Sequence, residues 1–486
     1  NPDRLSAETI FALASATGRA GVAVIRVSGP AAGNVLRDIC GLSARPEARR
    51  AIRCRMVEPA SGSALDDGLA IWFAGPASFT GEDVAELHIH GGRATIEAVS
   101  TALSGFNSCR LAEPGEFSRR AFDNEKLDLA EIEGLADLIA AETEAQRKQA
   151  LRQLSGGISE IYENWRTALL RLLAHAEAAI DFPEEDLPDS LLYDTKHNIL
   201  SILENITQYI GDDRRGERLR DGFQITIAGP PNAGKSSLLN ELAQRDVAIV
   251  SEHAGTTRDV IEVRLDLGGY PVTIADTAGM RSTTESIEAE GVRRAKDRAD
   301  TSDLTIFVVD ASIQAANSKI LAMVRPGDIV AYNKSDLLEA SAPIPEIRDV
   351  ETIAVSVKTG AELDKLIGSV TERVGLALSD SAGPPPLTRL RHREALEDCQ
   401  SALARALNAL EVELMAEDLR LAARALGRIT GRVDVEGILD VNGIASVNLQ
   451  VQVKRYDNTS IGERDIRNFR GALKRDFQGC FITLSK

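Results

Sequence analysis

The chain has 486 residues, with 56 Lys and Arg against 73 Asp and Glu, and a formal charge of −17 at pH 7. At about 150 residues per domain this length predicts about three domains, and the acidic balance excludes a protein whose whole surface is a counter-ion for nucleic acid. Hydrophobic residues at 43% and charged residues at 27% exclude disorder throughout.

The opening residues, Asn-Pro-Asp-Arg-Leu-Ser, lack the apolar core of a secretion signal, and no run of about 18 apolar residues offers to span a bilayer. Five scattered cysteines (Cys40, Cys54, Cys109, Cys399 and Cys480) form no C-x-x-C pair. A reducing cytoplasmic location without a zinc site is therefore expected.

Thr-Ile-Phe-Ala-Leu from Thr9 and Gly-Val-Ala-Val-Ile-Arg-Val ending at Val27 read as two strands joined by a turn. Further strands are expected at 68–73 and 84–90, with helices at 31–40 and 93–103, so the first 120 residues or so predict an α+β domain. His88 and His90 share one face of a strand, a spacing that metal sites use, but no Cys or further His lies nearby and the metal role is set aside.

From Leu127 to Asp181, Leu, Ile and Ala recur at three- and four-residue spacing among Glu, Arg and Lys, the pattern of long amphipathic helices. Phe182-Pro-Glu-Glu-Asp-Leu-Pro188 breaks it, and helical periodicity returns over 191–219. A short apolar strand at 223–228 then opens alternating strand and helix patterns that run to about residue 374, which implies a parallel sheet inserted into the helical material. Residues 381–386, Ser-Ala-Gly-Pro-Pro-Pro, read as a stiff linker, after which helical periodicity covers 389–439.

Gly229-Pro-Pro-Asn-Ala-Gly-Lys-Ser236 fits G-x-x-x-x-G-K-[ST] between that strand and a helix-like run. Its glycines let backbone N–H groups curl round phosphates, Asn232, Ala233, Gly234 and Ser237 line the same turn, Lys235 supplies a point charge, and the Ser236 hydroxyl can ligate Mg2+. Gly255-Thr-Thr-Arg-Asp259, Asp276-Thr277-Ala278-Gly279, Asn333-Lys334-Ser-Asp336 and Ser356-Val357-Lys358 follow in the order of a GTPase. Asp336 can accept hydrogen bonds from guanine N1–H and its amino group, which adenine does not offer. Thr257 is expected to reach Mg2+ and the γ-phosphate, Asp276 to hold the metal's water shell, and the Gly279 N–H to sense the γ-phosphate. Where Ras-type enzymes place a glutamine after Asp-x-x-Gly, this chain has Met280 and Arg281. Glu288 is the candidate water-orienting group, with an ordinary solvated helix glutamate as its alternative, and Asn232 can help hold a monovalent cation beside the phosphates.

The whole series of motifs, from about residue 9 to 440, resembles the MnmE (TrmE) tRNA modification GTPases. The likeness rests on Gly-Val-Ala-Val-Ile-Arg-Val-Ser-Gly-Pro, on Ser-Phe-Thr-Gly-Glu-Asp-Val-Ala-Glu-Leu-His-Ile-His-Gly-Gly, on Glu-Pro-Gly-Glu-Phe-Ser-Arg-Arg-Ala-Phe-Asp-Asn-Glu-Lys-Leu-Asp-Leu-Ala and on Ala-Ile-Asp-Phe-Pro-Glu-Glu, besides the GTPase motifs. It implies an α+β folate-binding and dimerisation domain over 1–122, a discontinuous α-helical bundle over 123–219 and 377–440, and an inserted α/β P-loop GTPase domain of Ras-like type over 220–376. By position it also implies that Arg26, Glu86 and Lys126 contact a formyl- or methylene-tetrahydrofolate, although from residue type alone they read as surface charges. Asn232, Ser251, His253 (through its carbonyl) and Thr256 match the K+ site, Ser236 and Thr257 the Mg2+ ligands, and Glu288 the catalytic glutamate. The resemblance further implies a homodimer that joins the flavoprotein MnmG (GidA) in a heterotetramer. That complex modifies C5 of the wobble uridine of certain tRNAs with an aminomethyl or carboxymethylaminomethyl group.

The family normally ends soon after Ile-Leu-Asp with a Phe-Cys-Ile-Gly-Lys-like tail that reaches the folate region. After Asp440 this chain instead runs Val-Asn-Gly-Ile-Ala-Ser-Val-Asn-Leu-Gln-Val-Gln-Val-Lys-Arg-Tyr, and residues 441–486 read as a short α/β extension similar to part of an Mrr-type restriction endonuclease. Asp440, Gln452 and Lys454 could then hold Mg2+ and polarise water, and Arg455, Arg464, Arg467 and Arg470 could touch phosphates, or simply form a solvated face. Three activities stay open: a K+-activated GTPase of tRNA modification, a GTP-binding remnant without modification activity, and a fusion with vestigial Mg-dependent DNA cleavage.

Overall fold

The computed structural model describes residues 8–181, 190–212, 214–245, 248–249, 262–276, 302–313, 318–338, 344–379 and 385–432, together with strand backbone at 435–441, 445–451 and 478–479. The expected break at 182–188 lies outside these residues, as does most of the expected linker. The chain divides into two compact units, 1–132 and 133–486.

In the first unit, β1 (Thr9–Leu13) and β2 (Ala20–Ser28) pair antiparallel, and the helix α1 (Ala32–Ile39) follows. Next come β3 (Ala51–Val57), β4 (Ala64–Phe73), β5 (Val84–Gly91), α2 (Arg93–Ser104), β6 (Cys109–Leu111) and α3 (Glu116–Asp123). One six-stranded sheet results, in the order β3-β4-β5-β2-β1-β6. Alternation along the strands sends Ile25, Val27, Leu87 and Ile89 into a core with Val35, Leu36, Ile39, Val99 and Leu103 of the two helices. Arg26, Glu86 and His88 therefore stand on the opposite face. The edge strands β3 and β6 and the helix α3 are absent from the sequence reading: Arg53 and Arg55 interrupt the apolar pattern of β3, and β6 is only three residues long.

The helix α4 (Leu129–Ala140) spans the end of the first unit. The second unit continues with α5 (Glu144–Leu154), α6 (Gly157–Asp181), α7 (Ser190–Ile210) and α8 (Arg215–Asp221). Gly222, at φ +93°, ends this helical run, and β7 (Phe223–Ala228) begins the inserted sheet. The insert adds α9 (Lys235–Ala243), β8 (Glu262–Leu267), β9 (Tyr270–Asp276), β10 (Leu304–Asp310), α10 (Ser318–Leu321), β11 (Ile329–Asn333), β12 (Glu351–Ala354) and α11 (Leu363–Leu378). The strand order is β12-β11-β10-β7-β9-β8, parallel except for the β8–β9 hairpin. Apolar side chains cover both faces, Ile225, Ile306 and Ala331 toward one layer and Phe307, Val309 and Tyr332 toward the other, as a sheet wrapped by helices requires.

The chain then re-enters the bundle with α12 (Leu390–Asn408) and α13 (Val412–Thr430). Leu169, Leu173, Ile199, Ile206, Leu396, Leu403, Leu419 and Leu426 fill one core drawn from both sides of the insert. The helical pattern expected to reach 439 stops earlier. Gly431 closes α13 in the left-handed conformation at φ +82°, and β13 (Val435–Val441) pairs antiparallel with β14 (Ala445–Val451), which pairs parallel with β15 (Gln478–Gly479). Val435, Ile438 and Val441 are β-branched and favour the extended ladder. Among the described residues no helix is long and apolar enough to cross a membrane.

Candidate functional site

The loop between β7 and α9 is shaped by two glycines that no other residue can replace. A Cβ on Gly229 would lie 2.0 Å from the Val308 carbonyl oxygen, and one on Gly234, at φ +99°, would lie 2.1 Å from Asn333 Nδ2. Asn232 takes a left-handed φ of +63° within the same turn. The loop delivers Lys235 and Ser236 as the first two residues of α9, where backbone N–H groups without helical partners and the helix dipole favour an anion. The buried Lys235 Nζ donates to the carbonyls of Gly229 at 3.0 Å and Pro230 at 2.9 Å, which curls the loop over its own lysine.

An open cleft of about 950 Å3 runs from this loop to the ends of β11 and β12, lined by Asn232, Gly234, Lys235, Ser236, Ser237, Asn333, Lys334, Asp336, Val357 and Lys358. Asn333 Nδ2 donates to the Ala233 carbonyl at 2.8 Å, and its Oδ1 accepts the Val357 N–H at 3.1 Å. Ser356 Oγ donates to Asp336 Oδ1 at 2.7 Å and accepts the Thr359 N–H at 3.3 Å. The arrangement brings the turn at the start of α9, which suits an anion, and a carboxylate acceptor to one cleft.

Lys334, at φ +65°, donates from Nζ to Asp310 Oδ2 at 2.6 Å. Burial alone would raise the Asp310 carboxyl, but the Lys334 ammonium and the Ser312 hydroxyl and N–H outweigh it and hold the group below the usual carboxylate range. Asp310 is absent from the sequence reading, and its signal is its place at the end of the fully buried β10, beside Asn333 in register. Asn240, Glu241 and Gln244 of α9 and its C-cap also line the cleft unanticipated.

Asp276 ends β9 opposite Ile227 of β7. Ser251, His253, Thr256, Thr257, Thr277, Ala278, Gly279 and Glu288 lie outside the described residues, as do Gln452, Lys454, Arg455, Arg464, Arg467 and Arg470. Asp440 is placed only as a backbone position in β13, opposite Ser446.

A second polar cluster occupies the other face of the first unit's sheet, opposite its hydrophobic core. Arg26 and Glu86 are register partners, and Arg26 donates from Nε at 3.0 Å and from a terminal nitrogen at 2.8 Å to Glu86 Oε1, in a half-buried ion pair and not on a solvated surface. The guanidinium stands over the rings of Phe79 and Phe117 at 5.1 and 5.9 Å. Lys126 lies against the loop that carries Phe79, its Cε 3.2 Å from where a Gly81 Cβ would be. His88 Nε2 is 3.5 Å from Glu86 Oε2 and is a buried nitrogen with no hydrogen-bond partner. His90 instead pairs with Asp66 at 2.8 Å. Among the described residues no cluster of three or more His, Cys, Asp or Glu side chains is placed to hold a metal ion.

Residues 9–126 match the family profile described as "GTP-binding protein TrmE N-terminus", residues 129–441 that of the "MnmE helical domain", and residues 405–486 that of a "Restriction endonuclease". The chain is 55% identical over 438 residues to the tRNA modification GTPase MnmE of Parvibaculum lavamentivorans, covering 89% of this chain and 98% of that one. It is 53% identical to that of Paramagnetospirillum magneticum over 435 residues, again 89% and 98% of the two chains. Among solved structures, Aquifex aeolicus Era bound to GDP and aluminium fluoride is 25% identical over 37% of this chain and 66% of its own, with a TM-score of 0.24.

Proposed function

The chain belongs to the MnmE family of tRNA modification GTPases, and from this membership we propose that it is a K+-activated GTPase that works with the flavoprotein MnmG on C5 of the wobble uridine of certain tRNAs. The observation that carries the proposal is the cleft that holds Lys235, Ser236, Asn333 and Asp336 together in a chain so similar to those relatives.

The described residues of the cleft suit a guanine nucleotide. N–H groups at the start of α9 and the Lys235 ammonium bind the β- and γ-phosphates, and Asp336, already oriented by Ser356, accepts guanine's two N–H donors. Ser236 and Thr257 would hold Mg2+, and Asn232, Ser251, His253 and Thr256 would hold K+. Bound there, the two ions would supply positive charge to the phosphates. Glu288 orients the attacking water.

The polar face of the first unit fits a folate: the buried, unpartnered His88 Nε2 beside Glu86 offers a hydrogen-bonding pair, and Arg26 and Lys126 suit an anionic glutamate tail. A bound tetrahydrofolate supplies the one-carbon unit; Arg26 and Glu86 bind and orient it. A homodimer is part of the same proposal. It is tested by GTP turnover in K+ and in Na+ together with titration of 5-formyl-tetrahydrofolate; turnover indifferent to the cation and no folate binding would sink it.

A second reading is favoured by the restriction-endonuclease match over 405–486, which overlaps the helical-domain match from 405 to 441 and includes the β13–β15 sheet. On it the chain binds GTP without modifying tRNA, or retains vestigial Mg-dependent DNA cleavage. Plasmid DNA left intact with Mg2+ across a range of protein concentrations removes the cleavage arm.

A further inference from the structure

The β8–β9 hairpin reaches from the phosphate-binding region to the helical bundle. At one end Asp276 pairs with Ile227, two residues before Gly229. At the other end, roughly 20 Å away at about 3.3 Å per residue, Gly268 and Gly269 form the turn with φ of +64° and +88°, and the Gly269 N–H is fixed to Asp266 Oδ1 at 2.7 Å.

That turn completes a helix of the bundle. Thr143 and Gln146 form a reciprocal capping box at the start of α5, and the Ala145 N–H, a first-turn donor with no partner inside its own helix, donates to the Gly269 carbonyl at 3.0 Å. Beside it Arg264 of β8 pairs with Glu142 at 3.4 Å. A cavity of about 180 Å3, lined in part by Ile158, Leu219, Tyr270 and Leu378, adjoins the turn. The seat thus joins these polar contacts to Ala145 and Tyr270, which pack against the core of the inserted sheet, with open space beside them.

We propose that Arg264 and Gly269 are positioning residues that carry the nucleotide state of the cleft along β8–β9 to Glu142 and Ala145 at the start of α5. The Asp276 motif begins where β9 ends, so GTP, with one more phosphate than GDP, acts on that end of the lever, and the contacts at the turn bias α5. This inference rests on the proposal that the cleft binds and hydrolyses GTP.

Hydrogen exchange of the full chain in K+, with GDP and with a non-hydrolysable GTP analogue, tests it. Peptides covering 229–240 are expected to be protected by both nucleotides, and those covering 142–150 to exchange several-fold differently between the two. Arg264→Ala, and independently Glu142→Gln, should reduce that difference below about twofold with GDP affinity within about twofold, and the charge exchange Arg264→Glu with Glu142→Arg should restore it. Arg264 and Glu142 are 57% and 28% exposed, so both variants are expected to fold. Protection at 229–240 without a nucleotide-dependent difference at 142–150, or a full difference in Arg264→Ala, overturns the coupling alone. No protection at 229–240 overturns both the coupling and the GTP-binding proposal beneath it.

Discussion

Asn333 ties the carbonyl of Ala233 in the phosphate loop to the Val357 N–H in the segment after β12, through one side chain that is 4% exposed. The loop proposed to receive phosphates and the loop proposed to receive the base are thereby tied to each other. Removing the amide would strand the buried Ala233 carbonyl, at about 1–3 kcal/mol, and the half-buried Val357 N–H at less. Asn333→Ala is therefore expected to weaken GDP binding at least about tenfold and to lower stability by about 2 kcal/mol, checked with a fluorescent GDP analogue and urea unfolding.

Asp336 presents one oxygen to Ser356, leaving its other oxygen for the base. Hydrogen bonds to a charged acceptor contribute about 1.5–3 kcal/mol, so Asp336→Ala should cost GDP roughly 10- to 150-fold in affinity and leave ADP unchanged. Competition titrations of the two nucleotides read this directly; an equal loss for both would mean that Asp336 holds the loop and does not read the base.

The bundle should be sensitive to acid through Glu133. Burial alone would raise its carboxyl, but hydrogen bonds from His392 Nε2 at 2.9 Å and from Arg391 bring it down to about 2. Burial also holds His392 below its ordinary value. Both groups have depressed folded values, so both stabilise the fold above their unfolded values and lose that contribution as pH falls, His392 from about 6.5 downward and Glu133 between about 4.5 and 2. Glu133→Gln should flatten the lower part of the pH–stability curve in urea titrations; an unchanged curve below about pH 4.5 would place the acid sensitivity elsewhere.

Glu86→Gln keeps the shape of the Arg26 partner but removes its charge and the acceptor beside His88. Binding of 5-formyl-tetrahydrofolate should weaken about 10- to 100-fold by calorimetry, while GTP turnover stays within about twofold. Loss of both together would show general unfolding of the first unit.

Much of the fold was legible because its signals are local. Gly229 to Ser236 specify a strand, turn and helix by residue type, and the buried β7 is a short apolar run that no solvated loop would carry. What stayed hidden depends on distant partners. Asp310 resembles any acid ending a strand until Lys334 arrives from the end of β11, and Phe79 of a loop and Phe117 of α3 are brought to one place only by the Arg26 guanidinium that meets both rings. The helical pattern read through 439 failed because Ile438 and Leu439 satisfy either periodicity, and the strand is selected by its pairing with β14.

The most direct measurement is a reconstitution of the protein with the flavoprotein, a methylene-tetrahydrofolate donor and unmodified tRNA, reading the wobble nucleoside by mass spectrometry while following GTP turnover in K+ and in Na+. The account predicts a C5-modified uridine and turnover that rises in K+; unmodified uridine with turnover indifferent to the cation would contradict it.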